Sequence, residues 1–208
     1  MKAAPLIGIS RHRLSTDGEG VTTLVAFHGC PLRCKYCLNP QSLHSEGIWK
    51  NYDCEQLYEE VRQDELYFLA TNGGITFGGG EPCLQSDFIY EFRQLCGQEW
   101  QLSVETSLNV TQENIEKLVP VVDSYIIDIK DINNTIYQKY TGKNNEKVLH
   151  NLQYLIEHGK NEQIIVRTPV IPAYNTENDV DNSIRLLKEM GIIQFDRCTY
   201  KTPNNCQP

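Results

Sequence analysis

The 208 residues suit one domain with a well-buried core, and 40% hydrophobic with 22% charged residues is the balance of an ordinary soluble globule. A formal net charge of −8 argues against a general nucleic-acid-binding surface, which needs clustered Lys and Arg. No apolar run approaches the roughly 20 residues of a membrane span.

In chain order the first element is a strand near Ala3 to Ile9, too short and too soon followed by Arg11, His12 and Arg13 to be a signal peptide. Thr22 to Phe27 reads as a strand leading straight into a cysteine-rich loop. Asp53 to Leu69 reads as a helix, with Asp53 and Gln56 spaced as a capping box. Gly74 to Phe77 is a short buried strand, Asp87 to Cys96 a helix, and Gln101 to Thr106 a strand. Thr111 caps a helix to Val119, and Ser124 to Lys130 is a strand with an apolar centre. A helix from about Lys143 to His158 stops at Gly159, and Ile164 to Ile171 is the next strand. A last helix spans Glu177 to Met190 before a final strand, Ile192 to Tyr200. About six strand–helix repeats predict an α/β fold with a parallel sheet, too few for a closed eight-stranded barrel. A partial (β/α)6 barrel in one domain, residues 1–208, is the expectation.

The run Cys30-Pro31-Leu32-Arg33-Cys34-Lys35-Tyr36-Cys37 puts three thiols in eight residues, with no fourth cysteine in the loop. Three thiolates suit a [4Fe–4S] cluster in which one iron lacks a protein ligand, an arrangement that suggests chemistry at the metal. A zinc loop with a distant fourth ligand, or a chance cluster, is the bland alternative. Cys54, Cys83, Cys96, Cys198 and Cys206 are scattered and write neither a disulfide framework nor a second cluster. Chemically suspicious residues recur at the strand ends, where α/β folds build sites: Gly78-Gly79-Gly80-Glu81-Pro82, Glu105 and Thr106, Asp128 and Lys130, Arg167, and Lys201. Consecutive glycines let a backbone approach a ligand closely, and the carboxylate after them can accept a hydrogen bond from an amine. Asp128 and Lys130, two apart, project to one face, either toward a ligand or as a buried ion pair.

The cysteine spacing, with aromatic Tyr36 before the third thiol, resembles the radical S-adenosylmethionine (SAM) superfamily, as does the "GGE" segment of Gly79, Gly80 and Glu81. Ser15 to Gly20 resembles the "T-x-D-G-x-G" of the glycyl-radical-enzyme activating branch, typified by pyruvate formate-lyase activating enzyme. Glu105-Thr106-Ser107 is similar to its "D-T-N", and Asp128-Ile129-Lys130 to its "D-L-K". Tyr137 to Gly142 and Val166 to Tyr174 resemble later landmarks of the branch. The resemblance implies a [4Fe–4S] cluster on Cys30, Cys34 and Cys37, with SAM chelated at the open iron and cleaved reductively. It implies cofactor contacts from Tyr36, Gly79, Gly80, Glu81, Glu105, Asp128, Lys130 and Arg167, with Glu81 on the α-ammonium. A monovalent cation at Glu105, Thr106 and Asp128 is a further expectation, weakened because Glu105 stands where the branch has Asp. Lys201 stands where the family has a histidine, and the sequence lacks the branch's terminal helix, so that edge of the barrel is expected either to be more open or to be covered by a partner. Cys54 alone lies between the cysteine loop and the "GGE" turn, so no ferredoxin-like insert and a single cluster are expected. The implied partners are a glycyl radical enzyme and a low-potential donor of flavodoxin or ferredoxin type, in the cytoplasm, with no nucleic acid and no membrane. Two other readings stand beside it: a radical SAM enzyme acting on a small molecule or ribosomal peptide, and a non-catalytic iron–sulfur or zinc module.

Overall fold

The computed structural model describes residues 3–14 and 16–200, so the expectation for Lys201 lies outside the described residues. Eight strands form one sheet: β1 (Ala4–Leu14), β2 (Val21–Phe27), β3 (Lys50–Tyr52), β4 (Gly74–Gly79), β5 (Gln101–Thr106), β6 (Ser124–Asp128), β7 (Ile164–Val170) and β8 (Gln194–Thr199). Their spatial order is β3-β1-β2-β4-β5-β6-β7-β8, an open sheet with β3 and β8 at its edges. The six strands β2, β4, β5, β6, β7 and β8 are parallel in five neighbouring pairs, while β1 pairs antiparallel with both β2 and β3. Six parallel strands joined by helical crossovers make the partial (β/α)6 barrel expected from the six repeats.

Alternation along the strands gives the sheet two unlike faces. Val25, Phe27, Ile75, Phe77, Leu102 and Val104 point to one side and are fully buried there. That side is covered by α1 (Cys54–Val61), α3 (Ser86–Cys96), α4 (Gln112–Leu118) and α6 (Glu146–Glu157), which pack side by side in that order. The opposite face carries Thr76, Ser103, Glu105, Asp128, Arg167 and Asp196 at the alternate register positions. The helices α2 (Glu65–Thr71), α5 (Asn134–Thr141) and α7 (Glu177–Glu189) complete the crossovers. Among the described residues no helix is long and apolar enough to cross a membrane.

The differences from the sequence expectation have local causes. The helix expected over Asp53 to Leu69 starts with the capping box of Asp53 and Gln56 but breaks at Arg62–Asp64 into α1 and α2. The break turns Asp64 inward, where it accepts from Arg11 Nε at 2.7 Å and from Thr23 Oγ1 at 3.0 Å. Burial alone would raise the Asp64 pKa, but Arg11 and Thr23 outweigh it and hold the carboxyl below its ordinary value. β6 stops at Asp128 rather than Lys130, because its pairing with β7 runs out at Asp128 opposite Arg167. The helix expected from Lys143 begins at Glu146, since left-handed Gly142 has just ended α5. Neither α5 nor the three-residue edge strand β3 was expected.

Candidate functional site

The cysteine loop leaves the C-terminal end of β2 and is held by its backbone. Gly29 donates to the Ser42 carbonyl at 2.9 Å. Arg33 N–H donates to the Thr141 carbonyl at 2.9 Å and Lys35 N–H to the Tyr140 carbonyl at 3.2 Å. Both acceptors belong to the last turn of α5, whose carbonyls lack intrahelical partners. The Arg33 guanidinium closes the loop from above by donating to the carbonyls of Cys30 and Leu32, each at 2.8 Å. The Asn39 amide then ties the loop to the Gly79 carbonyl at 3.0 Å.

Cys30, Cys34 and Cys37 are free and half-buried on this loop. Among the described residues no three His, Cys, Asp or Glu side chains form a group that could hold a single metal ion, so the three cysteines share one anchored loop without forming such a set. Burial pushes the Cys30 thiol up to about 12, with Glu81 and the neighbouring Cys34 and Cys37 adding to the rise. Burial likewise takes Cys34 up to about 11 against the opposing pull of Lys130. Such sulfurs become thiolates only beside a strongly cationic centre. Three free soft donors on one anchored loop fit an iron–sulfur cluster with one iron left open.

The Gly78–Glu81 turn lies directly against the loop. Gly80 donates to the Phe27 carbonyl at 2.8 Å and Glu81 to the Gly29 carbonyl at 2.7 Å. Gly79 takes φ +92, and a Cβ on Gly80 would collide with the Gly29 carbonyl. The glycines thus let two backbones touch, a packing reason additional to any ligand approach. Glu81 is buried and accepts from Thr106 Oγ1 at 2.6 Å, Ser107 Oγ at 2.6 Å, Ser107 N–H at 2.9 Å and Cys83 N–H at 3.1 Å. All four donors are neutral, so the carboxylate is fixed in place and no cation neutralises it by hydrogen bonding among the described residues. Cys83, also buried, donates its thiol to Thr106 Oγ1 at 3.3 Å and packs beneath the turn.

The remaining expected residues split into two groups. Lys130 Nζ lies 3.1 Å from Asp128 Oδ2 and 5.0 Å from the Tyr200 ring centre, in a nearly closed environment. Burial works against the ammonium, yet Asp128 outweighs it and the Lys130 pKa is raised. The two therefore form an ion pair in which Lys130 is buried and Asp128 partly exposed, and Lys130 is close enough to influence Cys34. Glu105 and Arg167 pair with each other instead of standing free. Arg167 also donates to Asp196 Oδ2 at 3.1 Å and to the Thr16 carbonyl at 3.0 Å, which commits its guanidinium to tying β5, β8 and the β1–β2 loop. Burial raises the Glu105 pKa despite Arg167, with Asp17 and Asp128 adding to the rise. Glu105, Thr106 and Asp128 thus face Arg167, Glu81 and Lys130 respectively and do not converge on a common point. Tyr36 packs edge-on against Tyr140 and Tyr174, with ring centres 6.1 and 5.7 Å away.

A cavity of about 480 Å³ runs along the open face of the sheet, from the other end of the strands up to Arg167 and Asp196. Its walls include Gln101, Ser124, Ile165 and Gln194 at strand starts, with Thr16 and Glu19 from the β1–β2 loop. Four strands lining one cavity means the sheet curls toward its polar face. The cysteine loop is at the opposite strand ends.

Sequence reasoning missed Asn39 and above all α5, and it quoted Ser107 in a motif without giving it a role. The signal for α5 was present: Asn133 caps its start by accepting from Thr135 N–H, and Gly142 ends it, eight residues bracketed by cap residues.

The radical SAM superfamily model matches residues 24–193. The chain is 30% identical to the (2S)-3-sulfopropanediol dehydratase activating enzyme of Klebsiella oxytoca, covering 84% of this chain and 74% of that one. It is 28% identical to the pyruvate formate-lyase 2-activating enzyme of Escherichia coli, covering 92% of this chain and 75% of that one. Among solved structures, Streptococcus suis SuiB bound to S-adenosylmethionine superposes with a TM-score of 0.64 at 15% identity, over 86% of this chain and 42% of that one. These matches agree with a three-cysteine loop at the mouth of a six-strand parallel half-barrel: the chain is an enzyme of the radical SAM superfamily, and its relatives include activating enzymes.

Proposed function

We propose that this chain activates a partner glycyl radical enzyme by abstracting one glycine α-hydrogen from it. The observation that carries the reading is the backbone-anchored loop of three free cysteines beside the Glu81 turn, in a chain similar to activating enzymes over most of its length. Bound there, a [4Fe–4S] cluster and SAM would supply a one-electron cleavage whose net products are methionine, 5′-deoxyadenosine and a glycine-centred radical on the partner.

The chain's own residues would then bind and orient. Cys30, Cys34 and Cys37 hold three irons as thiolates. Glu81, immobilised by four neutral donors, offers its negative charge to the α-ammonium of SAM. Asp128 and Lys130 act as a fixed pair at the ribose and carboxylate, Gly79 and Gly80 leave backbone exposed to the methionine moiety, and Tyr36 flanks the cofactor. Glu105 and Arg167 support these groups from the sheet interior. The electron comes from a flavodoxin- or ferredoxin-type donor, and the reaction belongs to the cytoplasm, under conditions that keep the thiols reduced.

Anaerobic reconstitution is expected to load about four irons per chain. The reduced protein is then mixed with SAM and a peptide copying a partner's glycine loop, deuterated at the glycine α-carbon. Deuterium is expected in 5′-deoxyadenosine, with a glycine-centred doublet in electron paramagnetic resonance when full-length partner replaces the peptide. Deuterium transfer from a small metabolite or ribosomal peptide alone would overturn the activase reading, and stoichiometric zinc without iron would overturn the cluster.

A further inference from the structure

The chain carries 27 acidic residues against 19 Lys and Arg, yet the surface around the cysteine loop has the opposite sign. Residues 28–45, which include the loop, hold Arg33 and Lys35 and no Asp or Glu. Residues 132–145, which include α5, hold Lys139 and Lys143 and again no carboxylate. The two segments lie side by side, because the Arg33 and Lys35 N–H groups donate to the Thr141 and Tyr140 carbonyls. Lys143 follows Gly142, where a Cβ would stand 3.9 Å from that of Arg33. Lys139 Nζ lies 5.6 Å from the Tyr174 ring centre, and that ring packs against Tyr36. All four cationic residues are exposed, and none is ion-paired among the described residues. Every other arginine of the chain has a carboxylate partner, which leaves Arg33 as the exception.

Unpaired charges of one sign on a chain of net charge −8 set up a local field that draws an acidic partner. The patch also has an apolar centre: Leu38, directly after Cys37, is 72% exposed, and Pro40 is exposed beside it. An apolar centre with a polar rim is the make-up of a protein-docking surface, and transient electron-transfer contacts are among the smallest of these. Placement chooses between partners. Lys35 directly follows Cys34 and Leu38 directly follows Cys37, so a protein seated on them lies beside the cysteine loop itself. The Gly78–Glu81 turn meets the loop through Gly29 and Asn39 instead. The cofactor proposed for that turn, and the peptide it acts on, therefore do not need the basic side.

We propose that Arg33, Lys35, Lys139 and Lys143, around Leu38, form the docking surface for an acidic electron-carrier protein that reduces the cluster. The inference rests on the cluster and activase reading given above and assigns its electron donor a surface. One electron leaves the reduced carrier, which is oxidised by one, and enters the oxidised cluster, whose charge falls by one. No bond is made or broken and no proton moves.

The test compares reconstituted wild type with a variant combining Lys35→Glu, Lys139→Glu and Lys143→Glu. Arg33 is left in place because its guanidinium holds the loop. Lys188→Glu is the control, an exposed lysine in the last turn of α7, at the opposite strand ends. The probes are a purified acidic flavodoxin and a purified acidic ferredoxin. Binding of the oxidised carriers is read by calorimetry, and reduction by the reduced carriers in stopped flow. At about 0.01 M salt the triple variant is expected to bind at least roughly tenfold more weakly and to be reduced at least roughly tenfold more slowly than wild type. At about 1 M salt, where the screening length is about 3 Å, the two should converge. Photoreduced deazariboflavin, a small uncharged reductant, should reduce both alike, and Lys188→Glu should match the wild type throughout. Unchanged binding and reduction of the triple variant overturn the inference, as does a wild type that binds neither carrier at low salt. A variant that keeps both carriers but loses a full-length glycyl radical enzyme gives the patch to the substrate protein and also overturns it. Should the triple variant hold less iron, binding of oxidised carrier to the cluster-free wild type and variant decides. A wild type that takes up no iron defeats the cluster reading, and this inference with it, a result distinct from an unchanged salt response in loaded protein.

Discussion

The two faces of the sheet are built from the same strands and answer to different demands. On the helix-covered face, Phe77 stacks with Phe27 and meets Phe92 edge-on, ring centres 5.5 Å away in each case, and nothing polar intervenes. On the open face, Arg167 of β7 makes ionic contacts across strands with Glu105 of β5 and Asp196 of β8, while Asp128 of β6 pairs with Lys130 two residues on. One face is held by area removed from water, the other by charges that constrain one another. A substitution on the first should therefore act on folding, and one on the second on pH response and chemistry.

The largest effect is expected from Phe77→Ala, which opens a cavity in the aromatic layer and should cost about 3–5 kcal/mol in urea denaturation. A much smaller loss would mean that the helix layer is loosely packed. Gly80→Ala probes the seam between the faces: the new Cβ meets the Gly29 carbonyl, so the turn and the cysteine loop must separate. About 1–3 kcal/mol and a lower iron content after reconstitution are expected, and full iron loading would show that the seam can yield.

Arg167→Met tests the open face and should cost about 1–2 kcal/mol, between an exposed pair and a fully buried one. Its sign with pH follows from Glu105, whose folded pKa is already raised. A carboxyl with a raised folded pKa binds protons more readily in the folded state, so stability declines as pH climbs from its unfolded to its folded pKa. Losing Arg167 raises that folded pKa further and widens the window upward. The variant should thus be penalised more at neutral pH than in acid below the ordinary carboxyl range, and a pH-independent penalty would remove Glu105 from the account. A smaller effect belongs to Asp53→Ala at the start of the covering layer, about 1 kcal/mol from the lost capping box. Thr111→Ala, whose side chain makes no cap bond to its helix, should change less than that in the same denaturation series.

The covered face was the more legible of the two. The alternation Leu102 and Val104 against Ser103 and Glu105, and the apolar centre of Ser124 to Asp128, mark the strands, because burial selects residue type directly. The cysteines and the Gly78–Glu81 turn were legible for another reason: their spacing is short-range and chemically restrictive. What escaped was whatever depends on distant pairing. The break at Asp64 is set by Arg11 and Thr23, residues from other strands, and no local pattern announces it. Asp128 and Lys130 were visible as a pair, whereas the partnership of Glu105 with Arg167 needed the register of the sheet. α5 carried its caps in the sequence, but its eight polar-rich residues have little amphipathic contrast, and its importance comes from what rests on its end.

That resting place has a consequence for biosynthesis. Arg33 and Lys35 hang from Thr141 and Tyr140, more than a hundred positions further along the chain. The three thiols therefore emerge from the ribosome well before the helix that receives them, and at ordinary elongation rates of about 5–20 residues per second the interval lasts several seconds. During that interval the loop lacks its anchor, and its sulfurs are open to oxidation or to capture by the wrong metal. Delivery of iron and sulfide for the proposed cluster should accordingly be favoured after α5 has been translated, which makes its uptake a late event in the maturation of this chain.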